Sequence, residues 1–299
     1  MSIEQLVEDF ENHLMRQGKS PGTVKGYDWA LQDLIKHLER HGVVKPAGIE
    51  AGHLEDWQDE LARPGRGPEG NKQLSPRTRQ LATTAARSFL KWAARRRQVG
   101  TELEDSIETV KAPRLLPRPL PERDLALLLA YLIPRRFNHA PSDLRTRALF
   151  MYLIATGARV SEALQVLRAE VEEALVIQKG GSQKWLRIPP AVVGYVADYV
   201  NTRTDENPWL WVTYDTNRPL RRLDPAGVRE IWIRLAKRVG VTRFTTHQLR
   251  HTSATLLLDQ GLSELVIADH LGHADLSTIQ NYAKVRASRR AQVGDVFEQ

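Results

Sequence analysis

Four prolines, Pro113, Pro117, Pro119 and Pro121, fall within nine residues, a little over a third of the way along a 299-residue chain. Each fixes its own φ and removes a backbone donor, so this stretch cannot be helix and reads as a stiff extended linker. The chain must therefore build its cores on either side of it. We expect a first domain over residues 1–112, a linker over 113–121 and a second domain over 122–299. The length is also more than one ordinary core needs.

The first stretch has helical spacing throughout. Ile3, Leu6, Val7, Phe10 and Leu14 recur on one face, and Gly18 closes that helix. Ser20-Pro21 opens a second helix, with serine as cap and proline in the first turn; its apolar face is Val24, Tyr27, Leu31, Leu34, Ile35 and Leu38. A third helix runs from about Gly52 to Leu61, and residues 63–70 (RPGRGPEG) form a loop. Ser75-Pro76 opens a fourth, whose buried side is Leu81, Ala85, Phe89 and Trp92. Lys72, Arg77, Arg79, Arg87, Lys91, Arg95, Arg96 and Arg97 lie between positions 71 and 97, where there is no acidic residue at all. Such a run is either a solvated helix face or a phosphate-contacting one, and the missing counter-charge favours phosphate. Lys111, Arg114 and Arg118 extend the basic text into the linker.

After the linker the text is helical over Glu122 to Leu132 and Ser142 to Ala155, breaks at Thr156-Gly157, and is helical again from about Val160 to Leu167. Leu175 to Gln178 and Lys184 to Ile188 flank Gly180-Gly181-Ser182 and read as a β-hairpin, with Trp209 to Thr213 as a third strand. Helices follow over Pro190 to Thr202, Asp224 to Val239, Thr246 to Gln260, Ser263 to His270 and Leu276 to Val285. The expected fold is mainly α: a small all-helical domain, then a mixed α+β domain of helices with a small antiparallel three-stranded sheet.

Composition narrows the function classes. Hydrophobic residues make up 41% and charged residues 26%, as in a globular protein. The absence of cysteine removes disulfides, thiol nucleophiles and thiolate metal sites. The acidic amphipathic start is not a secretory signal, and the longest apolar runs, Leu125 to Ala130 and Ala148 to Ala155, are too short to span a bilayer; we expect a cytoplasmic protein. Lys and Arg total 43 against 36 for Asp and Glu, a net charge of +7 that permits nucleic-acid binding without specifying it. There is no phosphate-binding glycine loop and no dinucleotide fingerprint. His247 and His251 have the spacing of helical zinc ligands, but Arg250 stands where a metalloprotease has its glutamate, so we expect no metal site.

The polar residues of the second stretch form a sequence of their own. Arg159 follows the glycine break and precedes Glu162; His247 and Arg250 share one side of a first helical turn; His273 follows Gly272; and Tyr282 comes nine residues later. Each has an ordinary reading. Arg159 can pair with Glu162, His247 can cap a helix, His273 can sit in a loop, and Tyr282 can pack beside Ile279. For each residue alone the ordinary reading holds; it is the set that shifts the balance.

With ATGARVSEAL, KGGSQKWLRIP, THQLRHTSAT and LGHADLSTIQNYAK in this order, the second stretch resembles the tyrosine recombinases, or phage-type integrases. SPGTVKGYDWALQDL and LSPRTRQLATTAARSFLKW resemble, more weakly, that family's core-binding domain. The resemblance implies that Arg159 and Arg250 clamp the scissile phosphate, that His273 donates a further hydrogen bond to it, that His247 assists proton movement, and that Glu162 supports the site. Tyr282 would attack phosphorus and leave a 3′-phosphotyrosine, with no metal or nucleotide cofactor. Lys179 matches the lysine that protonates the leaving 5′-oxygen, although the hairpin turn is about two residues longer than the family pattern; Lys184, across the turn, is the alternative for that role or would instead contact DNA, and an ordinary pair of turn lysines is the third reading. The resemblance further implies a clamp on double-stranded DNA, a homo- or hetero-tetramer on two sites, and a possible partner recombinase or activator protein. Val293, Val296 and Phe297 would dock a C-terminal tail on a neighbour. Size and plan suggest the Xer group, which resolves chromosome dimers. A mobile-element integrase, a catalytically silent DNA-binding relative and a single-subunit topoisomerase are the alternatives.

Overall fold

The structure, a computed structural model, describes residues 1–65, 73–113, 116–134, 140–178, 180–214 and 219–272. The chain divides into two compact units, Met1–Leu115 and Leu116–Gln299.

Among the described residues the first unit packs four α-helices: α1 (Ile3–Arg16), α2 (Pro21–Arg40), α3 (Ala51–Ala62) and α4 (Pro76–Arg95). Three of them start on a serine, Ser2, Ser20 and Ser75, whose hydroxyl accepts a hydrogen bond from the backbone N–H three residues on. That satisfies donors a helix start would otherwise leave open. Leu6, Phe10, Leu31, Leu34, Leu54, Trp57, Phe89 and Leu90 fill the core. Phe10 meets Phe89 edge-on at 5.7 Å, and the Trp57 indole N–H donates to Asp33 at 2.9 Å. Leu81, expected on the buried side of α4, is 38% exposed. The buried stripe runs through Ala82, Ala85, Ala86, Phe89 and Ala93, so Leu81 sits at its edge, facing Gly26 of α2.

The second unit is built on α6 (Pro141–Thr156), with α5 (Glu122–Leu132) before it and α7 (Val160–Ala163) after it. A hairpin of β1 (Glu173–Ile177) and β2 (Gln183–Arg187) leads to α8 (Pro190–Val200), α9 (Pro225–Val239), α10 (Thr246–Asp259) and α11 (Glu264–Leu271). Phe150 of α6 is met edge-on by Trp232 at 6.1 Å and by Phe244 at 6.2 Å, and Tyr199 stacks on Trp211 at 5.8 Å. Two expectations change. The helix after Gly157 stops at Ala163 because Gln165 turns its side-chain amide onto the end of β1, giving to Ile177 O and taking from Ile177 N, both at 2.9 Å. Among the described residues the sheet has two strands. The segment expected as a third makes single bridges, Trp209 with Leu167 and Val212 with Arg222, so its pairing is split between two partners and never forms a ladder. No helix among the described residues is long and apolar enough to cross a membrane.

Candidate active site

Three helix ends meet in the second unit. Gly157, in the left-handed conformation at φ +57°, closes α6 and turns the chain into Arg159. A Cβ added there would lie 2.2 Å from Leu271 at the end of α11 and 3.2 Å from the Ser253 hydroxyl on α10, so only glycine fits the junction. α10 begins at Thr245, which exchanges cap hydrogen bonds with Gln248, and its first turns carry His247, Arg250 and His251.

The side chains at this junction are tightly specified. Glu162 is fully buried; its Oε1 accepts from Arg159 Nη1 at 2.6 Å and its Oε2 from the Arg159 backbone N–H at 3.0 Å. Arg159 remains about a third exposed, with its side chain at 35%. Arg250 is 2% exposed; Nη1 donates to Gly157 O at 2.6 Å and Nη2 to Leu271 O at 2.8 Å. Its guanidinium thus ties the end of α6 to the end of α11. His247 and His251 are edge-on with ring centroids 4.3 Å apart. Burial lowers the pKa of His247, and Arg250 and Arg159 lower it further. Burial, with His247 and Arg250 adding, takes His251 down to about 4. Both imidazoles are therefore neutral at pH 7.

Lys184 lies in this same field. In the hairpin it is paired with Val176, on the face that carries buried Leu186, and its ammonium donates to His270 O. Burial brings its pKa down to about 8; Glu162 and Asp269 oppose that shift, while Arg250 and Arg159 add to it. His270, also lowered chiefly by burial, has Nε2 3.2 Å from Ala155 O, the geometry of an N–H donating to that carbonyl. Arg159, Glu162, Lys184, His247 and Arg250 thus share one electrostatic site. Arg159, paired with the one buried carboxylate, and Arg250 are permanently charged, and together they make a field suited to a dianionic or trigonal-bipyramidal phosphate.

Lys179, His273 and Tyr282, the helix expected over Leu276 to Val285, and the tail residues Val293, Val296 and Phe297 lie outside the described residues, as do Lys72 and Arg114. On α4, Arg77 and Arg95 are exposed and Arg79 is partly buried. Arg87 donates to Ile107 O at 2.6 Å and stands 3.6 Å from Asp105, and Lys91 stands 3.7 Å from Glu104. The counter-charge absent from the local sequence is supplied by the turn that follows α4. Sequence reasoning missed Gln178 and His270 and the inward placement of Lys184, and weighed His251 only as a zinc ligand. Only Lys184 had a signal: strand alternation puts it on the side of Leu186.

Residues 120–289 match the Phage integrase family, and residues 7–97 match the Phage integrase, N-terminal SAM-like domain. The first match alone spans more than half of the sequence, and the chain belongs to the phage integrase family, the tyrosine recombinases; it is an enzyme of DNA strand breakage and rejoining. Among its relatives, tyrosine recombinase XerA of Thermococcus kodakarensis is 30% identical, over 96% of this chain and 94% of that protein. Tyrosine recombinase XerC of Rhodospirillum centenum is 32% identical, over 93% and 81%. Of solved structures, the XerH site-specific recombinase bound to a palindromic difH substrate matches with a TM-score of 0.69 at 18% identity, over 95% of this chain and 82% of that one. A lambda integrase dimer bound to a COC′ core site matches with a TM-score of 0.69 at 16% identity, over 94% and 77%. These two likenesses show a shared fold.

Proposed function

We propose that the chain is a Xer-like recombinase that cuts a specific duplex through a 3′-phosphotyrosine at Tyr282 and resolves chromosome dimers. The observation that carries the reading is the partly exposed Arg159 guanidinium held on the buried carboxylate of Glu162, in one electrostatic site with Arg250 and neutral His247. Relatives named as Xer recombinases match over nearly the whole chain, which supports the Xer assignment over that of a mobile-element integrase.

In this reading the two arginines hold the non-bridging phosphate oxygens and stabilise the charge of the pentacoordinate state. The Tyr282 oxygen forms a bond to phosphorus as the bond to the 5′-oxygen breaks. A free phenol has a pKa of about 10, so the attacking oxygen must lose its proton as the bond forms. His247, neutral at pH 7, accepts that proton, and Lys179 gives one to the leaving 5′-oxygen. His273 adds a hydrogen bond to the phosphate. A 5′-hydroxyl from a partner strand reverses the step, so the phosphotyrosine conserves the energy of the broken bond. The helical unit before the prolines binds the duplex through Arg77, Arg79, Arg95 and their neighbours. Four protomers act on two sites in the cytoplasm, each docking its tail on the next.

The test starts from a randomised duplex pool, from which the bound sequence is recovered. A nicked suicide duplex of that sequence should give a covalent adduct on a denaturing gel with wild type and none with Tyr282→Phe. Binding without adduct from either protein overturns the enzyme reading at Tyr282. Matches of the recovered sequence to the ends of a mobile element, rather than to one chromosomal site, overturn the Xer role.

A further inference from the structure

The last three carbonyls of the α11 terminus are each held by a different element. His270 O accepts from Lys184 on β2, Leu271 O accepts from Arg250 on α10 at 2.8 Å, and Gly272 O accepts from the Gln178 side chain at the end of β1 at 3.3 Å. A helix C-terminus carries partial negative charge and unsatisfied carbonyls, so two cations and an amide there are a stabilising match. The contact is close. Gly272 is left-handed at φ +65°, and a Cβ added to it would lie 2.1 Å from Gln178 Nε2 and 2.9 Å from Lys184 Cδ. The next residue in the sequence is His273, and Tyr282 follows nine positions on.

We propose that Lys184 is a positioning residue: with Gln178 and Arg250 it clamps the end of α11 to the hairpin and so fixes the point from which the chain departs toward His273 and Tyr282. The inference rests on the reading of Tyr282 as nucleophile and deepens it. It differs from both other roles open to this lysine. A lysine whose whole role is DNA contact needs no internal acceptor, whereas Lys184 gives one of its donors to a backbone carbonyl inside the fold. A general acid must reach the leaving oxygen, whereas Lys184 reaches back to α11. The charge environment supports a structural anchor. Glu162 and Asp269 attract the ammonium while Arg159 and Arg250 repel it, and His270, on the residue whose carbonyl it holds, is itself hydrogen-bonded to Ala155. The clamp therefore joins the hairpin, α6, α10 and α11 at one point.

Three variants of the full chain test this. Lys184→Met keeps the aliphatic stem and removes the donor, Lys184→Arg keeps charge and donor, and Gly272→Ala attacks the clamp from the other side. The first readout needs no DNA. Amide hydrogen exchange in peptides covering residues 264–275 should speed up by about tenfold or more in Lys184→Met and Gly272→Ala, the factor one charge-assisted hydrogen bond is worth, and should stay near wild type in Lys184→Arg. The second is single-turnover cleavage of the suicide duplex. Lys184→Met should cleave about tenfold more slowly, with duplex affinity within about twofold of wild type and partial recovery in Lys184→Arg. Replacing the leaving 5′-oxygen by sulfur, which departs without a proton, should not restore the rate. Unchanged exchange overturns the clamp. Restoration by sulfur overturns positioning in favour of proton donation. Weaker duplex binding with a smaller salt slope, and normal cleavage once bound, overturns it in favour of a phosphate contact. Should wild type give no adduct, the Tyr282 reading fails by itself, and the exchange result still decides the clamp.

Discussion

Replacing Glu162 by glutamine separates the electrostatic support of the site from its contact with substrate. The carboxylate is fully buried and accepts two hydrogen bonds, from Arg159 Nη1 at 2.6 Å and from the Arg159 backbone N–H at 3.0 Å. Glutamine has nearly the same shape but one accepting oxygen. If that oxygen keeps the guanidinium, the amide NH2 faces the N–H at the start of α7, donor against donor. The bond keeps its charged donor but loses its charged acceptor, about 1 kcal/mol, and the backbone N–H loses its partner at a cost of about 1–3 kcal/mol. Arg159 is about a third exposed, so solvent screens part of the ion pair and the expected loss is the lower half of that range, about 2 kcal/mol. For a unit of this size that lowers Tm by about 4–8 °C. The site also becomes more positive, because Arg159, Arg250 and Lys184 lose the carboxylate among them. Duplex affinity should hold or rise while cleavage slows, since the arginine proposed to meet phosphate is no longer oriented. Lys184 should titrate still lower, since Glu162 no longer opposes its shift. The assays are a thermal melt, a duplex titration and single-turnover cleavage. A Tm within about 1 °C of wild type together with an unchanged cleavage rate would refute the argument, as would a fall in duplex affinity.

Two further outcomes are expected. Gly157→Ala should cost about 2–4 kcal/mol in denaturant unfolding, from a left-handed residue with a Cβ and from the collision with Leu271 and Ser253; a loss under about 0.5 kcal/mol would show that the junction yields. The protein should also weaken in mild acid. His37, His247, His251 and His270 are all pushed below 6.5, chiefly by burial, so between pH 6.5 and about 4 the unfolded chain takes up protons that the folded one refuses. Their contribution is intact above pH 6.5 and declines as pH falls through that window. His251, at about 4, should account for about 1–2 kcal/mol after allowance for solvent screening. A urea midpoint at pH 5 equal to or above that at pH 7.5 would contradict this.

What could be read in the sequence was largely what is decided locally. Ser20-Pro21 and Ser75-Pro76 marked helix starts because cap and first turn are neighbours in the chain. The order of Arg159, Glu162, His247 and Arg250 could be read because the family resemblance is itself sequential. The Arg159–Glu162 pair forms as its ordinary reading expected, and the role proposed for it is built on that same contact. Effects from distant segments were not legible. Gln165 ends its helix early by bonding a strand twelve residues away. The stretch Trp209 to Thr213 has strand composition but finds a different partner at each end. The basic run on α4 looked unpaired because Glu104 and Asp105 come from beyond the helix. Lys184 looked like a turn lysine because nothing local says that His270 waits beneath it.

The turn after α4 bears on how a protein of this kind searches a chromosome. Arg87 and Lys91 already have carboxylates at 3.6 and 3.7 Å, so a phosphate that would engage either one must displace an internal rival first. Exposed pairs of this kind are worth at most about 1 kcal/mol each, too little to block a well-fitted site but enough to loosen the grip on arbitrary sequence. Non-specific residence scales with the number of phosphates neutralised, so two cations held in reserve shorten each stop along the duplex. If the first unit binds the duplex as proposed, Glu104 and Asp105 act as a brake on indiscriminate adhesion, and cations committed to a structural turn set how quickly the protein lets go of the wrong DNA.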